Sequence, residues 1–437
     1  MANLLLLLLG PAFIAVSFAL MLQRVEPFAN FFYVCAWYGL IITFDRLIHR
    51  RQGRSLIGRC GPAFLLLLFW SAVSWYFFEL LNFRLQNWYY IFVIDDAMLR
   101  SFSTFFSFAT VFPGIFWIDH YLALRGAAGQ VHGRPLRFTP RGLCLLQITG
   151  LLFLVLPMLW PTYFFSLVWG GVVLLLAPVN YRLGIDGLLR QFERGDYGPT
   201  LRLLLAGLIA GLFWEFFNFW ARTKWIYTVP LFDELKLFEM PLAGFIGFPP
   251  FAVECAVIYR LLVWHRLAPA FAAYAEQKSA SETRLGRLAV FLLAAFCAAL
   301  VDRGVDRFTL TSVTPRVDRV EGLDPRLVAH LQERSVEYLT ALEGRGSAQI
   351  WTELERALGP DQSAALRRVA RLYLHQGIGV HFGNLLVRAG IDSLEELGAL
   401  SAAEVSVRLE EVAAGERLPT LPQIRVWVRR GSKSGDS

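Results

Sequence analysis

The sequence predicts an all-α integral membrane protein with two tandem parallel four-helix transmembrane repeats, a short ninth span and a C-terminal helical soluble domain. Three observations lead to this fold class. The chain of 437 residues is 56% hydrophobic and holds 37 Phe and 13 Trp, well above the usage of soluble proteins. Apolar runs of roughly 20 residues, enough for a transmembrane helix, recur along most of the chain. Matching polar and aromatic residues also return after about 136 positions.

The apolar runs define the predicted spans in order. They cover residues 3–22, 28–44, 62–82, 102–122, 143–159, 163–180, 203–220 and 241–262, with a ninth, shorter run at 288–301. No basic residue precedes Leu4 and the first run is long, so we expect it to be the first span rather than a cleaved signal peptide.

Basic residues orient these spans. Most of those in the apolar part of the chain lie in the loops after spans two, four, six and eight, at 45–61, 119–142, 182–202 and 260–287. Loops rich in Lys and Arg stay on the cytoplasmic side. We therefore expect a cell-membrane protein whose N-terminus is cytoplasmic, with membrane lipids as its surroundings. An odd number of spans would leave the C-terminal domain outside the cytoplasm.

Spans one to four return as spans five to eight. Glu79 and Asn82 recur as Glu215 and Asn218, 136 residues later, and Trp88 recurs as Trp225. We assign the first repeat to residues 1–136, the second to 137–284, the ninth span to 285–302 and the soluble domain to 303–437. Because each repeat has an even number of spans, both face the same way, and a pseudo-two-fold axis along the membrane normal should relate them.

Carboxyl groups inside the apolar spans are the candidate functional residues, because an intramembrane acid is expensive and marks a site. Glu79, Glu215 and Glu254 are the candidate catalytic acids. The helical spacing of three puts each Asn on the same face as its Glu. Pro113 and the Pro249-Pro250 pair should interrupt spans four and eight. The candidate substrate-binding residues are Asn82, Asn218, Arg84, Arg222, Trp88, Trp225, Tyr90 and Tyr227. A structural role, with each Glu bonded across the bundle, explains the same pattern.

The order of these residues resembles the lycopene cyclase domain of the heterodimeric type. Trp214-Glu215, Trp225-Ile226-Tyr227 and Pro250 followed by Glu254 stand where that family has a Trp-Asp, a Trp-x-Tyr and a Pro-x-Glu-Glu motif. Here Glu replaces the Asp, and Cys255 stands in place of the second Glu. The resemblance implies a small duplicated helical unit in which carboxyl groups drive acid chemistry on a polyisoprenoid.

The C-terminal region is polar and helical in pattern, with apolar spacing near 3.6 in segments 325–340, 348–358 and 362–375. Its residues 365–430, with the turn Gly377-Ile378-Gly379, resemble a helix-hairpin-helix domain. That class often binds nucleic-acid backbone. The region is close to neutral and lacks a basic footprint, so we expect a protein contact and not nucleic acid.

Three functions remain open from the sequence. The first is an intramembrane site for a lipid or isoprenoid between the repeats, with acid catalysis by buried Glu. The second is an ion- or proton-coupled transporter, and the third is a membrane-anchored scaffold that acts through the C-terminal domain. Whether the chain is an enzyme stays open. The His and Cys spacing predicts no metal site, and no motif identifies a cofactor.

Overall fold

A computed structural model describes residues 2–229, 235–271, 283–321, 323–343 and 347–434. It is predominantly helical. The chain divides into two compact units. The first unit comprises Met1–Leu85, Ser101–Ala221 and Leu231–Arg307, and the second comprises Gln86–Arg100, Arg222–Pro230 and Phe308–Ser437. The second unit thus combines the C-terminal region with two segments that the sequence places in the loops after spans three and seven.

The elements follow the apolar pattern of the sequence. The α-helices are α1 (Ala2–Leu22), α2 (Phe28–Gln52), α3 (Leu56–Cys60), α4 (Phe64–Leu85), α5 (Ala97–Phe108), α6 (Val111–Leu124), α7 (Pro140–Leu159), α8 (Pro161–Phe164), α9 (Val168–Arg182), α10 (Leu188–Glu193), α11 (Gly198–Trp220), α12 (Phe248–Trp264), α13 (Arg284–Phe308), α14 (Pro325–Glu333), α15 (Ser347–Leu358), α16 (Pro360–Leu374), α17 (Gly379–Arg388), α18 (Leu394–Ala399), α19 (Ala402–Val412) and α20 (Leu421–Ser434). Four short strands are β1 (Trp88–Ile91), β2 (Lys224–Tyr227), β3 (Lys236–Leu237) and β4 (Met240–Pro241).

Within the described residues, 8 helical stretches are long and apolar enough to cross a membrane. They are Phe28–Gln52, Leu56–Leu85, Ala97–Leu124, Pro140–Leu159, Pro161–Arg182, Gly198–Trp220, Leu242–Trp264 and Arg284–Phe308. Seven of them overlap predicted spans two to eight along almost their whole length. The predicted first span is the helix α1, of which Leu6–Leu22 forms a shorter apolar helix.

The eighth stretch corrects the predicted ninth span. The sequence predicts a short span at 288–301, whereas α13 has 25 residues and is long enough to cross a bilayer. The prediction stopped at the flanking charges Arg287 and Asp302. Backbone hydrogen bonds of a helix do not depend on apolar side chains, so the helix continues through both.

Several of the apolar stretches are discontinuous. The stretch 97–124 breaks between α5 and α6, and Pro113 stands in the first turn of α6. The stretch 242–264 begins as a 3-10 helix, Leu242–Gly247, and Pro249 and Pro250 stand in the first turn of α12. Proline fits there because the first helical amides have no partner within the helix. The prolines therefore begin helices and do not kink their interiors.

The second unit has its own apolar core. Strands β1 and β2 pair antiparallel, and their buried residues Tyr89, Ile91 and Ile226 belong to the same hydrophobic cluster as residues of α14–α20 such as Phe382 and Trp427. Two segments whose paired residues are 133 or more positions apart in sequence thus form one ribbon in the core of this unit.

Candidate functional site

The polar residues predicted inside the apolar helices are fully buried. Glu79 and Asn82 on α4, Glu215 and Asn218 on α11, and Glu254 on α12 each have 0% of their surface exposed. All five belong to the first unit. The spacing of three residues puts each Asn one turn after its Glu on the same helix face, as the sequence predicts.

An aromatic cluster connects the helices that carry these acids. Trp75 Nε1 donates to Glu79 Oε1 at 2.9 Å, and the Trp75 ring packs against Trp214 with 5.0 Å between centroids. Trp214 directly precedes Glu215. The neutral indole N–H is a donor that stabilises a carboxyl oxygen in an apolar interior, where an unpartnered polar atom is costly.

We define the aromatic cluster by its members, which come from α2, α4, α9, α11 and α12 and whose neighbouring rings lie 5.0 to 6.2 Å apart: Trp37, Trp75, Phe78, Trp169, Trp214, Phe217, Phe248 and Phe251. Phe78 stacks on Trp169 at an interplanar angle of 16°, and Phe251 meets both rings edge-on. Residues of both predicted repeats thus meet in one cluster, whose ring faces carry negative electrostatic potential.

Glu254 on α12 is the third buried carboxyl group. Its Oε1 accepts the backbone N–H of Val172 on α9 at 3.1 Å. Its Oε2 is buried and has no hydrogen-bond partner among the described residues. Phe251 of the aromatic cluster precedes Glu254 by one helical turn on α12. A carboxyl group with one oxygen unused in an apolar interior is a donor or acceptor available to a bound molecule or a proton.

The break between α5 and α6 is closed by a side chain of α4. Ser71 Oγ donates to the carbonyl of Phe108 at 2.8 Å and accepts the amide of Phe112 at 3.0 Å. At the second break, α11 presents Gly207, where an added Cβ would lie 2.6 Å from the carbonyl oxygen of Phe248. At both breaks a small residue of the neighbouring helix lies against the start of the second segment, at positions 136 residues apart.

The predicted aromatic ligand residues lie in the second unit. Trp88 is paired with Tyr227 and Tyr90 with Trp225 across the β1–β2 ribbon. Trp88 and Trp225 are buried, at 6% and 9% exposure, while the two Tyr are half-buried.

The two predicted arginines belong to different units. Arg84, in the last turn of α4, is exposed. Arg222, in the second unit, donates to Thr340 Oγ1 at 2.8 Å and lies over the Tyr338 ring at 5.9 Å. The predicted site residues thus divide: the Glu and Asn residues with Arg84 belong to the first unit, and Arg222 with the Trp and Tyr residues belongs to the second.

Asp45 is a buried acid that sequence reasoning did not single out. It is 2% exposed, and Oδ1 accepts the amides of Leu56 and Ile57 at 2.9 and 3.0 Å and Trp117 Nε1 at 3.1 Å. Its Oδ2 accepts the Ser55 hydroxyl at 2.6 Å. Four donors satisfy this carboxylate, so it anchors the start of α3 and is not available for chemistry. The only signal in the sequence is the Ser55 N-cap, which marks the helix start.

Comparison with known proteins reaches only the C-terminal region. Residues 323–433 match the family described as "Domain of unknown function (DUF4332)". No curated protein and no solved structure shows a significant match to the chain. The matched residues cover α14–α20, and the family description supplies no activity.

Proposed function

We propose that the chain is an integral protein of the cell membrane whose helices enclose an acid and aromatic site for a polyisoprenoid or a similarly apolar lipid. The membrane assignment is supported by what the apolar helices leave uncovered. The most apolar windows of α7 and α13 have mean hydropathies of 2.2 and 2.0, yet only 17% and 6% of them are buried. Surfaces of this size and polarity need a hydrocarbon environment.

The packing pattern supports two repeats. Helix α1 packs on α2 as α7 packs on α9, α2 packs on α6 as α9 packs on α12, and α4 packs on α6 as α11 packs on α12. Each pair matches its counterpart in sequence order. A duplicated four-helix unit accounts for all three correspondences, and the matched contacts of Ser71 and Gly207 with the helix breaks add to them.

The ribbon supports a two-fold relation between the repeats. A two-fold axis would exchange each residue with its counterpart in the other repeat, Trp88 with Trp225 and Tyr90 with Tyr227. Under this exchange the pair Trp88–Tyr227 becomes the pair Trp225–Tyr90, which is also observed. An antiparallel ribbon of two equivalent strands has a local two-fold axis between them. The proposed axis runs along the membrane normal, with the basic loops and the N-terminus in the cytoplasm and the C-terminal domain outside.

The acid site is carried by one observation: the unpartnered Oε2 of fully buried Glu254, on the helix that also contributes Phe251 to the aromatic cluster. A carboxyl group with a free oxygen in an apolar interior can hold a proton and donate it to a bound molecule. Glu215 and Glu79 lie beside Trp214 and Trp75 of the same cluster. The residue order shared with the lycopene cyclase domain points to the same class of substrate.

The reaction that this arrangement serves is proton-initiated rearrangement of a polyene. The acid proton adds to one carbon of a double bond, and the other carbon becomes a carbocation. The aromatic ring faces stabilise that charge by cation–π attraction. A neighbouring double bond closes a ring onto the cation, or a proton leaves the adjacent carbon directly. Return of one proton to the carboxylate restores the acid, so the step needs no oxidant, reductant or water.

The test is a comparison of all polyisoprenoids and membrane lipids, by mass spectrometry, in strains that carry the wild type, a deletion or Glu254→Gln. Gln keeps the acceptor for the Val172 amide and removes the acidic proton. We expect the deletion and Glu254→Gln to accumulate the same linear precursor. The exposed Glu411→Gln serves as the matched control and should behave as wild type. Unchanged levels of all polyisoprenoids and membrane lipids in the deletion strain would refute the enzymatic proposal.

A proton- or ion-coupled transporter is the second candidate, and the discontinuous helices favour it. Transporters place substrate and ion sites where transmembrane helices break, and here α6 and α12 both begin inside an apolar stretch. Purified protein in liposomes would show a pH-dependent flux that Glu215→Gln abolishes. A bound isoprenoid that co-purifies with the protein, with no flux, would favour the first candidate.

A membrane-anchored scaffold is the third candidate, favoured by the segments of the chain that make up the second unit. Segments from both loops join α14–α20 in one core, so the region matching the domain of unknown function forms one compact unit with these loops. The Gly377-Ile378-Gly379 turn between α16 and α17 gives this region its helix-hairpin-helix likeness. Retained function in Glu79→Gln and Glu215→Gln, with loss on removal of residues 320–437, would select this candidate.

The same turn argues against nucleic acid as a partner. Gly377 and Gly379 have φ of +74° and +70°, and a Cβ on them would lie 2.0 Å from Ile91 and 2.3 Å from Ser312 of this chain. Helix-hairpin-helix domains would use such a turn to approach a phosphate. Here the chain itself covers it, which fits the neutral charge of the region.

A further inference from the structure

A cavity in the first unit is lined by none of the residues of the acid and aromatic site. It has a volume of about 460 Å³ and is formed by α6, by α10 with the segment around it, by the start of α11 and by the second half of α12. This volume is in the range of small-molecule sites, roughly 300 to 1,000 Å³. The elements around it border the basic loops that we assign to the cytoplasm.

The cavity has two chemically different walls. The apolar wall consists of Leu188, Leu203, Val253, Ala256 and Val257. The polar wall carries three arginines and three aspartates, which are Arg194, Arg202, Arg260, Asp119, Asp186 and Asp196. A ligand that fits both walls must have a charged part and an apolar part. Amphiphiles of the membrane have this character.

Most of the charged groups of the polar wall make contacts within it. Arg202 Nε bonds Asp119 Oδ1 at 2.8 Å, and their side chains are only 12% and 2% exposed. Arg194 Nη2 bonds Asp186 Oδ1 at 2.8 Å in a more exposed pair. Arg260 donates to the backbone carbonyl of Asp186. Because the Arg202–Asp119 pair is nearly buried, this part of the wall presents opposite charges in a preorganised arrangement.

The start of α11 adds a further positive feature. Thr200 lies in the first turn of this 23-residue helix and lines the cavity. The first amides of a helix have no partner within the helix, and the helix dipole makes this end attractive to anionic groups such as phosphate. A phosphate group therefore finds guanidinium groups and a helix N-terminus on the same wall.

We propose that this cavity binds the headgroup of a zwitterionic phospholipid, for which phosphatidylethanolamine is the probe. A ligand with only negative charge would face the three carboxylates, and one with only positive charge would face the three guanidinium groups. A phosphodiester with a nearby ammonium satisfies both sets. The apolar wall receives the start of the acyl chains, so the lipid and not the free headgroup is the ligand.

The test uses native mass spectrometry of the full chain in detergent micelles. Phosphatidylethanolamine, phosphatidylglycerol and soluble glycerophosphoethanolamine are titrated separately. We expect phosphatidylethanolamine to bind at least tenfold more tightly than the other two. Arg194→Gln should weaken the binding of this lipid by about tenfold, since one charge-assisted hydrogen bond to the phosphate is lost. The ion pair of Arg194 with Asp186 is exposed, so its loss should leave the fold intact. Arg51→Gln, exposed at the end of α2 and outside the cavity, is the matched control.

Two further measurements keep the result decisive. Arg202→Gln, if it folds, should weaken binding more than Arg194→Gln, and a thermal unfolding scan of each variant reports whether it folds. Equal binding of phosphatidylethanolamine and phosphatidylglycerol would overturn the proposal. So would equal binding of the free headgroup, or equal weakening by Arg51→Gln and Arg194→Gln. Each of these outcomes is independent of the acid chemistry proposed for Glu254.

Discussion

The substitution Gly377→Ala should disrupt the second unit at one defined contact. Gly377 has φ of +74°, and an added Cβ would lie 2.0 Å from Ile91 Cγ2 and 2.4 Å from Ile91 Cβ. The backbone conformation alone costs Ala about 1 kcal/mol. The steric conflict with a buried side chain adds about 1–3 kcal/mol, as in other overpacked cores. We expect a total loss of about 2–4 kcal/mol from the stability of the second unit.

Gly390→Ala is a matched control for this substitution. Gly390 has nearly the same φ, +72°, but an added Cβ would meet no atom within 4 Å. It should therefore lose only the conformational part, about 1 kcal/mol. The difference between the two variants isolates the contact between the turn and β1.

Hydrogen–deuterium exchange of the full chain in detergent, read by mass spectrometry, is the suitable assay. A loss of about 3 kcal/mol raises the population of the open state roughly a hundredfold, since about 1.4 kcal/mol is a factor of ten. Peptides from α16, α17 and β1 should lose protection together in Gly377→Ala. The Ile91→Ala background should reduce the effect only in part, because it removes Cγ2 and Cδ1 of Ile91 but keeps the Cβ that lies 2.4 Å from the added Cβ.

The reasoning would be refuted if Gly377→Ala and Gly390→Ala exchanged alike and peptides of β1 kept their protection. That result would mean that Ile91 does not pack on the turn in solution. The hydrogen bond from the Tyr89 hydroxyl to the Gln376 carbonyl, at 2.9 Å, gives the same contact an independent probe. Tyr89→Phe should lose about 1 kcal/mol and leave α20 peptides less affected.

Three further predictions concern other contacts. Asp45→Ala should lower stability by about 3 kcal/mol or more, because it leaves two backbone amides and the Trp117 indole without their acceptor. Trp117→Phe removes only one of these bonds and should cost about 1 kcal/mol. Thermal unfolding in detergent that ranked the two variants in the reverse order would contradict this. Burial lowers the pKa of His375 below its usual 6.5. The unfolded chain therefore binds a proton at His375 more readily than the folded one, and the stability of the second unit should decrease as the pH falls below about 6.5. Urea unfolding at several pH values should show this decrease, and His375→Gln should remove it. Ser401→Ala should cost the second unit about 1 kcal/mol by removing the capping box of α19, whereas the half-buried Ser406→Ala should cost less.

The helices were predictable because the signal for each is local. An apolar run of the right length predicts a span wherever it stands, and spans two to eight all coincide with long apolar helices. The ends were less accurate. The predicted span 28–44 is the first part of α2, which continues through His49, Arg50 and Arg51 to Gln52. Basic residues at a helix C-terminus interact favourably with its dipole, so the charges that ended the prediction extend the helix.

The burial of the site acids was also accessible from the sequence. A Glu with an Asn one turn later, in a run of Phe and Leu, predicts a buried polar pair, and Glu79 and Glu215 are fully buried. Glu254 stands in an apolar run without such an Asn and is fully buried as well. What the pattern does not contain is the partner of each oxygen. Trp75 on the same helix serves Glu79, while Glu254 bonds an amide of α9, 82 residues away in sequence.

The sequence by itself determined that the chain is helical, where its apolar helices lie and which acids they bury, because apolar length and helical spacing are properties of consecutive residues. Only the tertiary structure decided that Trp88 pairs with Tyr227, that the aromatic rings of five helices form one cluster, and that Arg194, Arg202 and Arg260 border one cavity. These facts depend on contacts between residues far apart in the chain. Composition, spacing and periodicity describe one segment at a time and do not specify which segments meet.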